Sequence, residues 1–231
     1  MSAPRRATSS LEAAEALLLH HFRTQPFHNL NLLYNNGKPL GLPGGTCSDK
    51  ALSYLTDARK LGFDAHLHTA FMGGQEIHRL ARLHIDGETY FADVGNGWPA
   101  IKLIPASRNI EYSCFGMRYR TEVDGDWVKV FHKRQGKESL QMEIKLQPSR
   151  EEDILEDIKA RYSSGIKYPF SNSVRFSAIV DNSFLFLRGE SLQLYGAEHF
   201  QVVDGLSAES IPEVLKNHFG HSYPAPVPSA T

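Results

Sequence analysis

At Phe63 the hydrophobic pattern of this chain changes from helical spacing to the alternation of strands, and that switch limits the fold more than any other feature. Ala65–Phe71, Arg79–Ile85, Thr89–Val94 and Tyr119–Val123 each alternate apolar and polar residues or are rich in β-formers. Asp86-Gly87 and Asp124-Gly125 are hairpin signals. Residues 63–147 are therefore expected to be a run of mostly antiparallel strands. Helical patterns lie on both sides of the run, so the order is helices, sheet, helix, sheet. That order predicts an α+β fold with barrel character.

Before the switch, Leu11, Ala14, Leu17, Leu18 and Phe22 form one face of a helix over 10–23, which Gln25-Pro26 interrupts. A loop rich in glycine and proline covers 35–46. A second helix is expected over 48–61, with Ala51, Leu52, Leu55, Ala58 and Leu61 inward, Ser48 or Asp49 at its start and Gly62 at its end. After the sheet, Glu151–Tyr162 reads as a helix with Ile154, Leu155 and Ile158 inward. Ser149 lies three residues before Glu152, a capping-box spacing. Strands return over Val174–Leu194 with a turn at Asp181-Asn182, and Ile211–Lys216 reads as a short helix. Residues 1–10 and 222–231 are expected to be loose.

The 231-residue chain is long enough for a substantial core. Its formal net charge of −1 argues against a nucleic-acid binder. No stretch approaches the ~20 apolar residues of a membrane span, and Glu12 and Glu15 interrupt the only N-terminal apolar run. Two cysteines give no disulfide framework, so the expected location is the cytoplasm.

Cys47 carries the chemistry. Gly41-Leu42-Pro43-Gly44-Gly45-Thr46 leads into it and a helix follows, so its thiol is expected at a helix N-terminus. Free N–H groups and the helix dipole there favour the thiolate, which is the nucleophile. Such a cysteine needs a base and a group that orients the base. His78 and Asp93 lie on the two arms of the Asp86-Gly87 hairpin. A simple register places Ala81 near Ala92 and brings His78 and Asp93 to the same end. Cys114 has no such context and reads as structural, and His84 as a packed or surface histidine. His66, His68, His78 and His84 lack helix-type ligand spacing, so no metal is expected. Phe27, Phe71, Trp98 and Phe170 are core candidates that would also suit an arene pocket. The basic cluster Phe131–Lys137 reads as a solvated hairpin end, the alternative being a contact to a phosphate of coenzyme A.

In sequence order, four segments resemble the arylamine N-acetyltransferase family. Pro26-Phe27-His28-Asn29-Leu30 is similar to its Pro-Phe-Glu-Asn-Leu segment. Gly44-Gly45-Thr46-Cys47 is similar to its Arg-Gly-Gly-x-Cys. Leu61-Gly62-Phe63 matches its Leu-Gly-Phe, and Tyr90–Gly97 is similar to its Tyr-Leu-x-Asp-Val-Gly-Phe-Gly. The fifteen residues from His78 to Asp93 match the family's spacing, which selects His78 over His84. The segment from Glu151 to Leu192 resembles the family's C-terminal part less closely. Pro43 replaces the family's Arg, Asp49 a Glu and Asn96 a Phe, and the region before Cys47 is shortened.

The resemblance implies three parts. These are a helical segment carrying the nucleophile (1–62), an antiparallel β-barrel-like domain (63–147) and an α/β lid with tail (148–231). It implies a Cys47-His78-Asp93 triad that moves an acyl group from a thioester, acetyl-CoA or similar, to a small-molecule amine through an acyl-cysteine. Phe27, Gly45, Thr46, Gly95 and Asn96 are the expected substrate-binding residues. Acyl-CoA is a co-substrate, and no bound cofactor, nucleic acid or membrane is expected. The departures beside the triad leave two alternatives. One is an amide synthase, a transglutaminase-like enzyme or a hydrolase acting on a carrier-bound or peptide acyl group. The other is a non-catalytic binding homologue.

Overall fold

The computed structural model describes residues 10–35, 38–161, 168 and 170–222, so the expectations for the extreme termini lie outside the described residues. Helix α1 (Ser10–Thr24) buries Ala14, Leu18, His21 and Phe22. Strand β1 (Phe27–His28) and the short helix α2 (Leu30–Asn35) follow. Helix α3 (Cys47–Lys60) takes Thr46 as its N-cap, and the Thr46 N–H donates to Asp49 Oδ2 at 2.9 Å. Gly62 ends it at φ 85°, as the sequence predicts. The N–H groups of Gly62 and Phe63 return to the carbonyls of Arg59 and Ala58, closing a Schellman motif. Leu61 is therefore the cap rather than part of the inward stripe, and it is 64% exposed.

Eight strands form one antiparallel sheet: β2 (Asp64–Met72), β3 (Gln75–Ile85), β4 (Glu88–Ala92), β5 (Ile104–Pro105), β6 (Glu111–Cys114), β7 (Met117–Asp124), β8 (Trp127–Arg134) and β9 (Lys137–Lys145). Their order is β5-β4-β3-β2-β9-β8-β7-β6, and the sheet curls into a half-barrel. Asp86 (φ 51°) and Gly87 (φ 82°) make the first hairpin, both left-handed as a type I′ turn requires. The second hairpin is shifted by one residue from expectation. Asp124 pairs with Trp127, so the loop is Gly125-Asp126. Only Gly125 has positive φ there, the pattern of a turn with glycine first. This register leaves Val128 and Val130 facing the core.

Helix α4 (Glu151–Ala160) buries Ile154 and Ile158; Tyr162, its expected end, lies outside the described residues. The expected Ser149 cap does not form. Arg150 is the N-cap, with no side-chain cap, and Glu151, Glu152 and Asp153 meet the helix dipole instead. Strands β10 (Arg175–Val180), β11 (Ser183–Arg188), β12 (Ser191–Tyr195) and β13 (Phe200–Val203) form a second antiparallel sheet in the order β1-β10-β11-β12-β13. The N-terminal segment thus supplies an edge strand: Phe27 pairs with Ser177 and His28 with Phe176. Helix α5 (Ile211–Phe219), with Pro212 in its first turn and Gly220 left-handed after its last, packs on this sheet through Leu215 and Phe219. The largest core joins α1, α3 and the first sheet through Leu18, Tyr54 and Leu83, all fully buried. The fold is α+β, with helices at the N-terminus, a curled antiparallel sheet and a C-terminal helix. No helix among the described residues is long and apolar enough to cross a membrane.

Candidate active site

The glycine turn fixes where the thiol lies. Gly45 stands at φ 140°, its N–H donates to the Pro26 carbonyl at 3.1 Å, and its carbonyl accepts from the His28 N–H at 2.9 Å. A Cβ on Gly45 would lie 2.6 Å from Asp49 Oδ2, so the turn excludes any side chain there. Asp49 in turn caps Thr46 and accepts from Arg161 at 2.7 Å. This anchored cap makes Cys47 the first residue of α3, buried to 6% exposure.

The hairpin supplies the partners. Ala81 pairs with Ala92, the register the two-residue turn requires. Continued by one residue, that register sets Leu80 opposite Asp93 and His78 on the diagonal, within reach of a long side chain. His78 Nε2 lies 2.6 Å from Asp93 Oδ1, with both side chains buried. That contact leaves the other ring nitrogen free of Asp93, and the Cys47 thiol beside it lies 3.9 Å from the Ile77 carbonyl and lines the same cleft as His78. Asp93 Oδ2 accepts from Asn96 Nδ2 at 2.9 Å, and Asn96 Oδ1 accepts from the Trp98 N–H at 3.3 Å. The amide of Asn96 is thus fixed at both ends, and it fixes Asp93. Gly95 allows this close approach, because a Cβ there would lie 2.6 Å from Cys47 Cα.

Electrostatics favour a charge-separated pair. Burial alone would raise the Cys47 pKa; the His78 hydrogen bond and charge, with the backbone N–H of Arg79, outweigh it and hold the thiol below its usual range. Burial would lower His78, but the charge and hydrogen bond of Asp93, followed by the contact with Cys47, raise it. Cys114 differs. It is half-buried, its Sγ lies 3.4 Å from the Pro99 carbonyl, and burial pushes its pKa up to about 12. Their surroundings thus push the two thiols in opposite directions, Cys47 down and Cys114 up.

Cys47 and His78 open onto a cleft of about 320 Å³ between the two sheets. Of the expected substrate-binding residues, Phe27, Gly95 and Asn96 line this cleft. Gly45 and Thr46 do not; they form the turn and cap beneath it. Trp98 and Phe170 line it, whereas Phe71 packs against Trp127. The basic hairpin is not wholly solvated: His132 is fully buried, and Arg134 covers the Trp98 ring at 3.8 Å and lines the cleft. His84 is exposed on its strand. Among the described residues no group of three or more His, Cys, Asp or Glu is arranged to hold a metal.

Two residues escape a reading of sequence alone. Lys50 is 1% exposed, its ammonium donates to the Gln25 carbonyl and lies 5.2 Å from the Phe22 ring centroid, and it feels the Asp93 charge. Burial lowers its pKa to about 7, against the opposing pull of Asp93. Its spacing from Cys47 and Tyr54 on the inner stripe of α3 was the available signal. Asn29 donates to the carbonyls of Phe170 and Ser173 and accepts from the Arg175 N–H at 2.8 Å, holding the cleft wall in place. Only the resemblance of its segment marked it.

The sequence model of the N-acetyltransferase family matches residues 10–224, and this chain belongs to the arylamine N-acetyltransferase family. Solved structures share the fold at low identity. The Nocardia farcinica arylamine N-acetyltransferase is 21% identical with a TM-score of 0.78, over 97% of this chain and 87% of that one. The Salmonella typhimurium enzyme is 18% identical with a TM-score of 0.77, over 96% and 91%. The Mycobacterium marinum enzyme, solved in complex with CoA, is 15% identical with a TM-score of 0.75, over 94% and 89%. No curated protein sequence matches.

Proposed function

We propose that this protein is a cysteine-dependent N-acyltransferase that moves an acyl group from a thioester such as acetyl-CoA to an arylamine. The observation that supports this reading is the buried His78–Asp93 pair beside the Cys47 thiol, with Cys47 and His78 opening onto one aromatic cleft. His78 takes the thiol proton, and the Cys47 thiolate attacks the thioester carbonyl. The oxyanion of the tetrahedral intermediate is met by the Cys47 backbone N–H and the positive end of α3. As the intermediate collapses, the imidazolium of His78 protonates the departing CoA thiolate and leaves an acyl-cysteine. The amine then attacks that acyl group, His78 takes the amine proton, and Cys47 is released. Asp93, held by Asn96, keeps the His78 ring oriented and stabilises its charged form. Phe27, Phe170, Gly95 and Asn96 line the space for the acceptor. The free thiol suits the reducing cytoplasm.

The CoA complex of the Mycobacterium marinum relative supports acetyl-CoA as donor. Steady-state kinetics with acetyl-CoA and an arylamine test the reading. Parallel double-reciprocal lines, the mark of a two-step transfer, are expected. Intersecting lines would argue for direct transfer without an acyl-enzyme.

A further inference from the structure

Three guanidinium groups line the cleft with no carboxylate partner among the described residues. Arg175 and Arg188 are register partners on β10 and β11, so both lie on the same side of the second sheet. Burial, and then the charge of Arg188, lowers the pKa of Arg175, the effect of like charges held together. Arg134 reaches the same cleft from the end of β8, with its guanidinium over Trp98. Every Asp and Glu of the chain lies among the described residues. None of them pairs with these three arginines, whereas Arg59, Arg120 and Arg161 elsewhere each hold a carboxylate. Aromatic rings from Phe27, Tyr168, Phe170 and Phe186 make up much of the remaining wall, with Met72 and Gln141 among the rest.

We infer that the cleft takes a ligand that carries an anionic oxygen group, carboxylate or phosphate, bound by Arg175 and Arg188 with Arg134 beside them, while the rings hold its apolar part. Guanidinium groups suit such oxygens because their paired N–H donors match two oxygens at once. Two sources share this chemistry: a carboxylate on the acceptor amine, or a phosphate of the donor's CoA. The inference rests on the proposed function only in supposing that donor or acceptor enters this cleft.

Binding is measured without turnover, in Cys47→Ser, by the quenching of tryptophan fluorescence, since Trp98 lines the cleft. One arm compares 4-aminobenzoate with the neutral 4-aminobenzamide. The other compares acetyl-CoA with S-acetyl-N-acetylcysteamine, which has the thioester and no phosphate. In at least one arm the anionic ligand is expected to bind about ten- to a hundredfold tighter, the scale of a charged hydrogen bond. Arg188→Gln, at an exposed position that spares the core, is expected to erase that difference while leaving the neutral ligand unaffected. Arg175→Gln is expected to act alike. A preference in the first arm assigns the anion to the acceptor, and in the second to the donor. No preference in either arm, or an equal loss for charged and neutral ligands in both variants, would overturn the inference. An inactive wild-type enzyme would refute the acyl-transfer reading and leave this binding result standing.

Discussion

Asp93 is fully buried and accepts hydrogen bonds from His78 and Asn96. Asp93→Asn keeps the shape and removes the charge that raises His78. Turnover is expected to fall roughly a thousandfold or more, the scale for an orienting carboxylate. Alkylation of Cys47 by iodoacetamide at neutral pH should slow with it. Asn96→Ala removes one bond to Asp93 and is expected to cost about tenfold in turnover, within the ~1–3 kcal/mol of a bond to a buried charge. Unchanged alkylation and turnover in both variants would separate Asp93 from the chemistry. At this scale the sequence was informative where the backbone dictates the residue. The glycine turn put Cys47 at a helix start and the hairpin register brought His78 to Asp93 by local rules; only the family resemblance joined Cys47 to that pair. The sequence said less where long-range packing decides: Lys50 is buried because the carbonyls of α1 and its following turn meet it from a distant segment.

Among the elements, α3 matters most, because its first residue is the thiol. Its start rests on Thr46, Asp49 and, from a segment more than a hundred residues away, Arg161. Asp49→Ala removes both the cap and the pair, and is expected to destabilise the protein by about 1–2 kcal/mol. Urea unfolding followed by circular dichroism checks this, and an unchanged midpoint would contradict it. Most elements were legible because period and turn chemistry agree, as at Asp86-Gly87. Errors fell at the ends. Ser149 has the right spacing for a cap, but the chain enters α4 one residue later. Asp124-Gly125 has the right chemistry for one turn type, but the sheet's inward valines choose a neighbouring register. Local signals name an element, while its packing sets its boundary.

Across the whole molecule, the second sheet borrows its edge strand from the N-terminal segment, and no local pattern in Phe27-His28 announces a partner at 176–177. That closure brings Phe27 to the wall of the cleft that Arg175 and Arg188 also line. The fold also buries histidines in separate places. His21 and His28 are lowered to about 4 and His132 to about 3, each chiefly by burial. Unfolded histidines titrate near 6.5. Between that pH and the folded values the unfolded chain binds more protons, so stability is full above about pH 6.5 and falls as pH drops toward 4. His132 has no hydrogen-bond partner for either ring nitrogen among the described residues and stacks on Tyr119. His132→Phe is therefore expected to flatten the melting temperature between pH 7 and 4.5, and an unchanged slope would contradict the burial account. The central claim is that Cys47 carries the acyl group between donor and amine. Intact-mass spectrometry after mixing with acetyl-CoA alone tests it most directly. One acetyl group on Cys47, discharged when an arylamine is added and absent in Cys47→Ser, is the predicted result. No adduct with acetyl-CoA, or the same adduct in Cys47→Ser, would contradict it.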